Sequence, residues 1–384
     1  MEEKTILYVG GFELPDKNAA AHRVLNNGKI FRELGYRVVF LGISHDTNRL
    51  LKQQVQGFEA WSMPYPASKK EWVDYLTSIK TLKQIAKSLI NLQAIIFYNY
   101  QSVCLQKALR YCKRNKIYSI VDITEWYLAS KKNAVFFAIK QLDTAYRMCN
   151  LNKRADGIIS ISTYLTNYYR KCGYSSLIQI PPLIDTTEEK WKKSEEPQNK
   201  TKIQLVYAGS PGDIKDNFGI VLKNVRKFSE KIELHILGVD KSKLIETLGK
   251  ELSKKYFGEN VIIHGRVSHT ECLEHIKKSD FQMFLRPENL VTRAGFPTKL
   301  GESFACGTPV ITNLSSNIGD FLVDGKNGFV ITELSDESVC ETLKKTSELS
   351  REEIIGMKQY CSNIKCFDYR NYVNDVKVFF EKLK

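Results

Sequence analysis

A chain of 384 residues, 43% hydrophobic and 26% charged, is long enough for two ordinary domains and apolar enough to give each a core. It has no short repeats, no low-complexity tracts and no apolar run near ~18 residues, which excludes solenoid, disordered and membrane-spanning classes. The net charge of +14 is uneven: residues 1–200 carry 30 Lys and Arg against 18 Asp and Glu, the remainder 27 against 25, so the first half either faces an anionic partner (membrane surface, phosphate-bearing acceptor or nucleic acid) or is a solvated basic surface.

The opening MEEKTILYVGG lacks the basic start and apolar run of a secretory signal. Nine scattered cysteines with no CxxC predict a reducing compartment, with neither a disulfide framework nor a zinc site. A cytoplasmic protein is expected, with peripheral contact at the inner face of the plasma membrane as an option.

In chain order, β-rich runs at Ile6–Val9, Val38–Ile43, Ala94–Tyr98, Ser119–Ile123 and Gly157–Ile161 alternate with amphipathic stretches at Ala19–Leu34, Lys69–Leu89 and Val103–Arg114. Such alternation predicts a parallel sheet covered on both faces. The run Lys131–Arg154 mixes apolar and basic residues, as an interfacial helix or a core helix with a solvated back would. Thr186–Lys200 is polar, aperiodic and contains a Pro, and reads as a linker between residues 1–185 and 201–366.

The scheme then repeats. Strands are expected at Ile203–Ala208, Glu233–Leu237, Val261–His264, Phe281–Leu285, Pro309–Thr312 and Phe329–Ile331, and helices at Phe218–Phe228, Thr270–Lys278 and Thr298–Cys306. The segment Phe367–Lys384 has helical apolar spacing and needs a partner surface, which the first domain can offer.

In doubly wound sheets ligands bind beyond the carboxyl ends of the strands. After the first strand stands Gly10-Gly11, which brings backbone N–H groups to an anion or simply makes a tight turn. After Ala208 comes GSPGDIKD, where Gly209 opens the backbone and Lys215 supplies a cation for a diphosphate. HGRV follows Val261, with Arg266 just past the strand and His264 read as structural. In RPENLVTRAGFPTKLGESFACGTPV (Arg286–Val310), a helix starts near Thr298 with uncapped N–H groups, and Glu302 one turn inside it can accept two hydrogen bonds from a vicinal diol. Asp122 and Glu125 of DITEW follow a first-domain strand and are candidates to take a proton or bind acceptor hydroxyls; His22 is a weaker one.

The Arg286–Val310 string resembles the signature of retaining GT-B glycosyltransferases, especially glycosyltransferase family 4 and its capsule and O-antigen members. Gly10-Gly11, RADGIISIS at Arg154–Ser162, IPP at Ile180–Pro182, YAG at Tyr207–Gly209, HGRV at His264–Val267 and DGKNGF at Asp324–Phe329 stand in the order that this family shows. The resemblance implies two Rossmann-like domains facing a central crevice, acceptor domain first and donor domain second. It also implies transfer of a sugar from a nucleotide-diphosphate donor, a UDP-sugar first among them, with retention. The acceptor would be a glycan or polyprenyl-diphosphate-linked glycan of a bacterial surface polysaccharide, with no nucleic-acid partner.

By the same resemblance Glu302 binds the donor ribose, and Lys215 and Arg266 hold the diphosphate or nucleotide. The backbone of Gly295, Phe296, Pro297, Thr298 and Lys299 faces sugar and phosphates. No Asp-x-Asp stands at a metal position, so neither metal nor cofactor is expected. One departure concerns the position eight before Glu302. The family pattern has Glu there and this chain has Ala294, so either that carboxylate is dispensed with or Glu288 in the same loop supplies it. A sugar-nucleotide epimerase of the same fold and a sugar-nucleotide-binding pseudoenzyme are the competing readings.

Overall fold

The computed structural model describes residues 3–126, 134–192, 200–209 and 217–383. The strands are β1 (Lys4–Gly10), β2 (Tyr36–Ser44), β3 (Leu51–Val55), β4 (Phe58–Pro64), β5 (Leu92–Tyr98), β6 (Tyr118–Ile123), β7 (Gly157–Ser160), β8 (Leu177–Gln179), β9 (Ile203–Ala208), β10 (Ile232–Leu237), β11 (Val261–Gly265), β12 (Phe281–Met283), β13 (Val310–Asn313) and β14 (Gly328–Ile331). The helices are α1 (Ala19–Glu33), α2 (Lys69–Thr77), α3 (Lys80–Ser88), α4 (Ser102–Asn115), α5 (Ala134–Tyr146), α6 (Thr163–Lys171), α7 (Phe218–Val225), α8 (Lys241–Leu248), α9 (Lys250–Tyr256), α10 (His269–Lys278), α11 (Leu290–Ala294), α12 (Thr298–Ala305), α13 (Asp336–Ser347), α14 (Arg351–Asn363) and α15 (Val373–Glu381). They form two compact units: Met1–Ile184 with Ala294–Phe296 and Asp368–Lys384, and Asp185–Arg293 with Pro297–Phe367.

In the first unit eight strands run in the order β3-β4-β2-β1-β5-β6-β7-β8. All pairings are parallel except β3 with β4. The central strand carries Ile6, Leu7, Tyr8 and Val9, all fully buried, as a strand covered on both faces must be. Asn18 caps α1 by accepting from the Ala21 N–H. The chain re-enters this unit at its end. Val376, Phe379, Phe380 and Leu383 join the core of Ile6, Val24, Phe31 and Val38, and α15 packs on α1 and β8.

Three local features differ from the sequence expectation. The β3–β4 hairpin was not expected; it turns on Gln56-Gly57, both at positive φ, the two-residue geometry that matches strand twist. Lys69–Leu89 is two helices, because Ser78 is extended between them. Within Thr186–Lys200, Glu189–Trp191 forms a short 3₁₀ turn with Trp191 buried.

In the second unit six parallel strands run β11-β10-β9-β12-β13-β14. By sequence rank this is the order 3-2-1-4-5-6 of the dinucleotide-binding fold, with its switch point between β9 and β12. Leu205, Val206, Leu234, Ile236, Phe281 and Met283 are fully buried along the middle of the sheet. The sheet order of both units is the doubly wound α/β class that the alternation predicted.

Candidate functional site

The second unit concentrates backbone and charge at the carboxyl ends of β9, β10 and β11. A glycine stands at or directly after the end of each of these neighbouring strands: Gly209 at φ +127, Gly238 at φ +91 and Gly265 at φ +76. The Gly209 N–H donates to the Leu237 carbonyl (2.9 Å) and the Gly238 N–H to the Gly265 carbonyl (2.8 Å). A Cβ on Gly238 would stand 3.1 Å from the Gly209 backbone, and one on Gly209 would stand 3.1 Å from Lys299 Cε. Side chains are therefore excluded from a shelf of half-buried main chain, which a ligand can approach closely.

Lys299 reaches over that shelf. Its Nζ lies 4.3 Å from the Tyr207 ring centroid and 5.8 Å from that of Phe284, so the ammonium sits at the β9–β12 switch point. Tyr207 is fully buried under it, and the ring face favours the cation there. Lys299 belongs to α12, whose Leu300 and Phe304 bury its apolar face and whose first turn no side chain caps. The positive end of the helix and the ammonium thus share one place, suited to an anion.

Glu302 stands one turn further on, with 26% of its side chain exposed. His269 Nε2 lies 3.8 Å from its Oε1, and no described residue donates a hydrogen bond to the carboxylate. Its oxygens are open to hydroxyl donors. Arg266, next after Gly265, is 82% exposed and lies 3.8 Å from Asp240 Oδ2. This weakly held guanidinium is free to turn toward a phosphate.

Gly209, Thr298, Lys299, Glu302, Arg266 and Pro297 are therefore all in the second unit, the first four beside the shelf or on the helix behind it. Lys215 lies outside the described residues. Gly295 and Phe296 are buried and group with the first unit. Ala294 is fully buried and Glu288 exposed.

The first unit corrects one expectation. Asp122, expected at a loop rim, is the fifth residue of β6 and fully buried. Arg23 donates to it from Nε (3.0 Å to each oxygen) and from its terminal nitrogen at 2.7 Å. Tyr8 donates at 2.5 Å and the Asn27 amide at 3.4 Å. Arg23 also donates to the carbonyls of Ile180 (2.9 Å) and Pro181 (3.3 Å). Burial pushes the Tyr8 hydroxyl well above its ordinary range, and the Asp122 charge pushes it further. Burial disfavours the Arg23 charge, but Asp122 more than offsets this and raises its pKa. A fully buried, fully satisfied carboxylate pins α1 and the Ile180-Pro181 segment to β6; it is placed as a structural group, not as a proton acceptor for a ligand.

Glu125 is half-buried in the loop after β6, and His22 half-buried on α1. Gly10 serves packing. A Cβ there would fall 2.7 Å from Tyr98 Cβ and the Tyr98 carbonyl, whereas one on Gly11 would meet only the Tyr75 hydroxyl, at 3.3 Å.

The sequence reading missed Gly238. Its signal, a glycine directly after an apolar run, was present but weak until β10 stood beside β9. The first unit also holds a cavity of ≈ 630 Å³ near the start of β6, lined by Arg110, Lys113, Lys116 and Arg154 with Asp156. On α5, Ile139, Leu142 and Tyr146 are 59%, 71% and 41% exposed. Among the described residues no helix is long and apolar enough to cross a membrane.

Residues 188–359 match the family described as glycosyl transferases group 1. A glycosyltransferase of Methanocaldococcus jannaschii described as uncharacterized is 24% identical over 241 residues, which cover 60% of this chain and 59% of that protein. The chain is similar in structure to sucrose-phosphate synthase from Thermosynechococcus elongatus (TM-score 0.72, 12% identity, 99% of each chain). It is similar also to HepE of Anabaena in complex with UDP (TM-score 0.70, 12% identity, 98% of this chain and 99% of that one). The chain thus has the GT-B glycosyltransferase fold, two Rossmann-like sheets of which the second carries a match to glycosyl transferases group 1.

Proposed function

We propose that this protein is a retaining glycosyltransferase that moves a sugar from a nucleotide-diphosphate donor to a glycan or lipid-linked glycan acceptor. The observation that carries the reading is the glycine shelf of Gly209, Gly238 and Gly265 under the Lys299 ammonium. A diphosphate needs main-chain N–H groups and fixed positive charge; the glycines leave room for it, the uncapped first turn of α12 supplies the N–H groups and Lys299 the charge. Glu302, whose carboxylate no described residue caps, is assigned to the ribose hydroxyls. A UDP-sugar is the donor of choice, because the similarly folded HepE was solved with UDP.

In this mechanism Lys299, Arg266 and the start of α12 stabilise charge as the diphosphate leaves, and Lys215 is assigned to the same task by its position in the sequence after β9. Preorganised positive groups supply most of such a rate enhancement. The transfer is assigned to these cations, without a metal or cofactor. The biological setting we infer is bacterial surface polysaccharide synthesis of the capsule or O-antigen type, in the cytoplasm at the membrane face. The basic first half and the exposed apolar side chains of α5 support a lipid-linked acceptor.

Calorimetric titration with UDP tests the site. The Glu302→Ala variant should bind on the order of 10-fold more weakly, the loss of about one charged hydrogen bond's net contribution. Unchanged affinity would remove Glu302 from the site. Incubation with a UDP-sugar alone separates the epimerase reading, which predicts an isomerised sugar nucleotide without any acceptor.

A further inference from the structure

Three histidines outside the shelf meet on one face of the second sheet. His235 is in β10, His264 in β11 and His275 in α10. The register pairs His235 with Ile262, and the pleat puts His264 on the same face as Ile262. The register then shifts between Ile236 and Leu237, so that His264 has no partner across the ladder, and such irregularities re-aim side chains. Helix α10 lies over this face with Leu273 and Ile276 in the core, and the His275 ring centroid falls 4.4 Å from that of His264 and 6.2 Å from that of His235.

One ring nitrogen from each histidine lies within 4.8 Å of the others. His235 Nδ1 and His264 Nε2 are 2.9 Å apart, and Glu233 Oε1 is 2.8 Å from His235 Nε2. The carboxylate therefore accepts a hydrogen bond from Nε2–H of His235, which leaves the Nδ1 lone pair facing His264 Nε2. Neutral imidazole is the form that ligates metals.

We propose that His235, His264 and His275 bind a divalent cation of the zinc type, with Glu233 orienting His235 and water completing the coordination. Three imidazole nitrogens and no protein oxygen ligand favour zinc, nickel or copper over magnesium or calcium. With Zn–N near 2.0–2.1 Å, tetrahedral ligands stand about 3.3 Å apart, so the 2.9 Å pair needs to open by only a few tenths of an ångström. On binding, the proton that His264 carries on Nε2 moves to Nδ1, and the N–H···N bond gives way to two metal bonds. The ion would tether α10 to the edge strand β11, one residue before Gly265-Arg266. It takes no part in the transfer proposed above and does not depend on it.

The test uses the full chain, stripped with a chelator, kept reduced and titrated with zinc chloride and cobalt chloride. One equivalent should bind, raise the melting temperature and, with cobalt, give the strong visible absorption of a four-coordinate centre. His275→Asn should lose this equivalent while keeping the far-ultraviolet dichroism of the parent. Glu233→Gln retains all three ligands and should weaken binding roughly 10- to 100-fold, giving a second reading if His275→Asn does not fold. A variant with Ser at the exposed Cys149 and Cys172 should bind as the parent does. No saturable binding, parental affinity in both His275→Asn and Glu233→Gln, or loss only in the cysteine variant would overturn the site.

Discussion

Asp122 and Glu302 are both carboxylates near strand ends, and their surroundings assign them opposite work. Asp122 has Arg23, Tyr8 and Asn27 as donors and no exposure. Glu302 has a histidine at 3.8 Å and an open side. Removing one partner of a buried ion pair leaves the other charge stranded, at a cost of about 3–5 kcal/mol. Asp122→Ala should therefore lower the first unit's unfolding free energy by that amount in a urea titration. Normal stability with abolished turnover would instead return Asp122 to the chemistry. In the sequence the two looked alike, since DITEW and TKLGES each put an acid beside a strand or helix end. What separates them is Arg23, 99 residues away from Asp122 in sequence, and no local pattern announces that pairing. Glu302 was singled out because it stands one turn inside a short helix, whereas Lys299 was named for its backbone alone; its ammonium over Tyr207 emerges only when β9 and α12 are brought together. Gly238 and the three histidines were not legible, because strand order and register, not spacing, bring them together.

Elements with a strong period were the readable ones. The parallel strands stand out as apolar runs, and α15 as apolar residues at Val376, Phe379 and Phe380 that enter the first unit's core, followed there by Leu383. The β3–β4 hairpin was hidden because its strands are half polar: only Val55, Phe58, Ala60 and Ser62 are buried along it. Its edge is held by charge as well. Glu59 accepts from Trp61 Nε1 at 2.9 Å and Arg37 at 2.7 Å, and lies 3.1 Å from Lys52 Nζ. Burial pushes the Glu59 carboxyl up, but these donors outweigh it and the net shift is downward. The folded pKa is then below the unfolded one. The contribution is present above the ordinary glutamate range near ~4.3 and is lost as pH falls through the lower, folded value. Since Arg37 and Lys52 are more than a third exposed, the contribution is about 1 kcal/mol at most. Urea unfolding should be flat from pH 7 to 5 on this account and weaken below it. Glu59→Gln should flatten the acid limb, and an unaltered limb would show that the hairpin's charges are solvated in both states.

At the scale of the whole molecule, nearly all the net charge lies in residues 1–200, and the first unit shows where part of it gathers. Arg110, Lys113, Lys116 and Arg154 line one cavity, and Gln106, which lines it too, donates to the Tyr146 hydroxyl at 3.3 Å. Tyr146 is in turn the last residue of α5, which exposes Ile139 and Leu142. Cations and exposed apolar side chains are thus neighbours in one unit, the combination that lets a helix lie at an anionic bilayer surface. Each cation near such a surface contributes about 1 kcal/mol, and screening beyond ~8 Å at physiological salt weakens the more distant ones. The protein should float with vesicles containing phosphatidylglycerol and not with pure phosphatidylcholine, and the bound fraction should fall as salt rises. Ile139→Asp with Leu142→Asp should abolish flotation at any salt, because the apolar contact is then removed. Ala at Arg110, Lys113 and Lys116 should remove only the salt-sensitive part. If both variants float like the parent, the positive balance of the first half is a solvated surface, and its acceptor must be sought without a membrane.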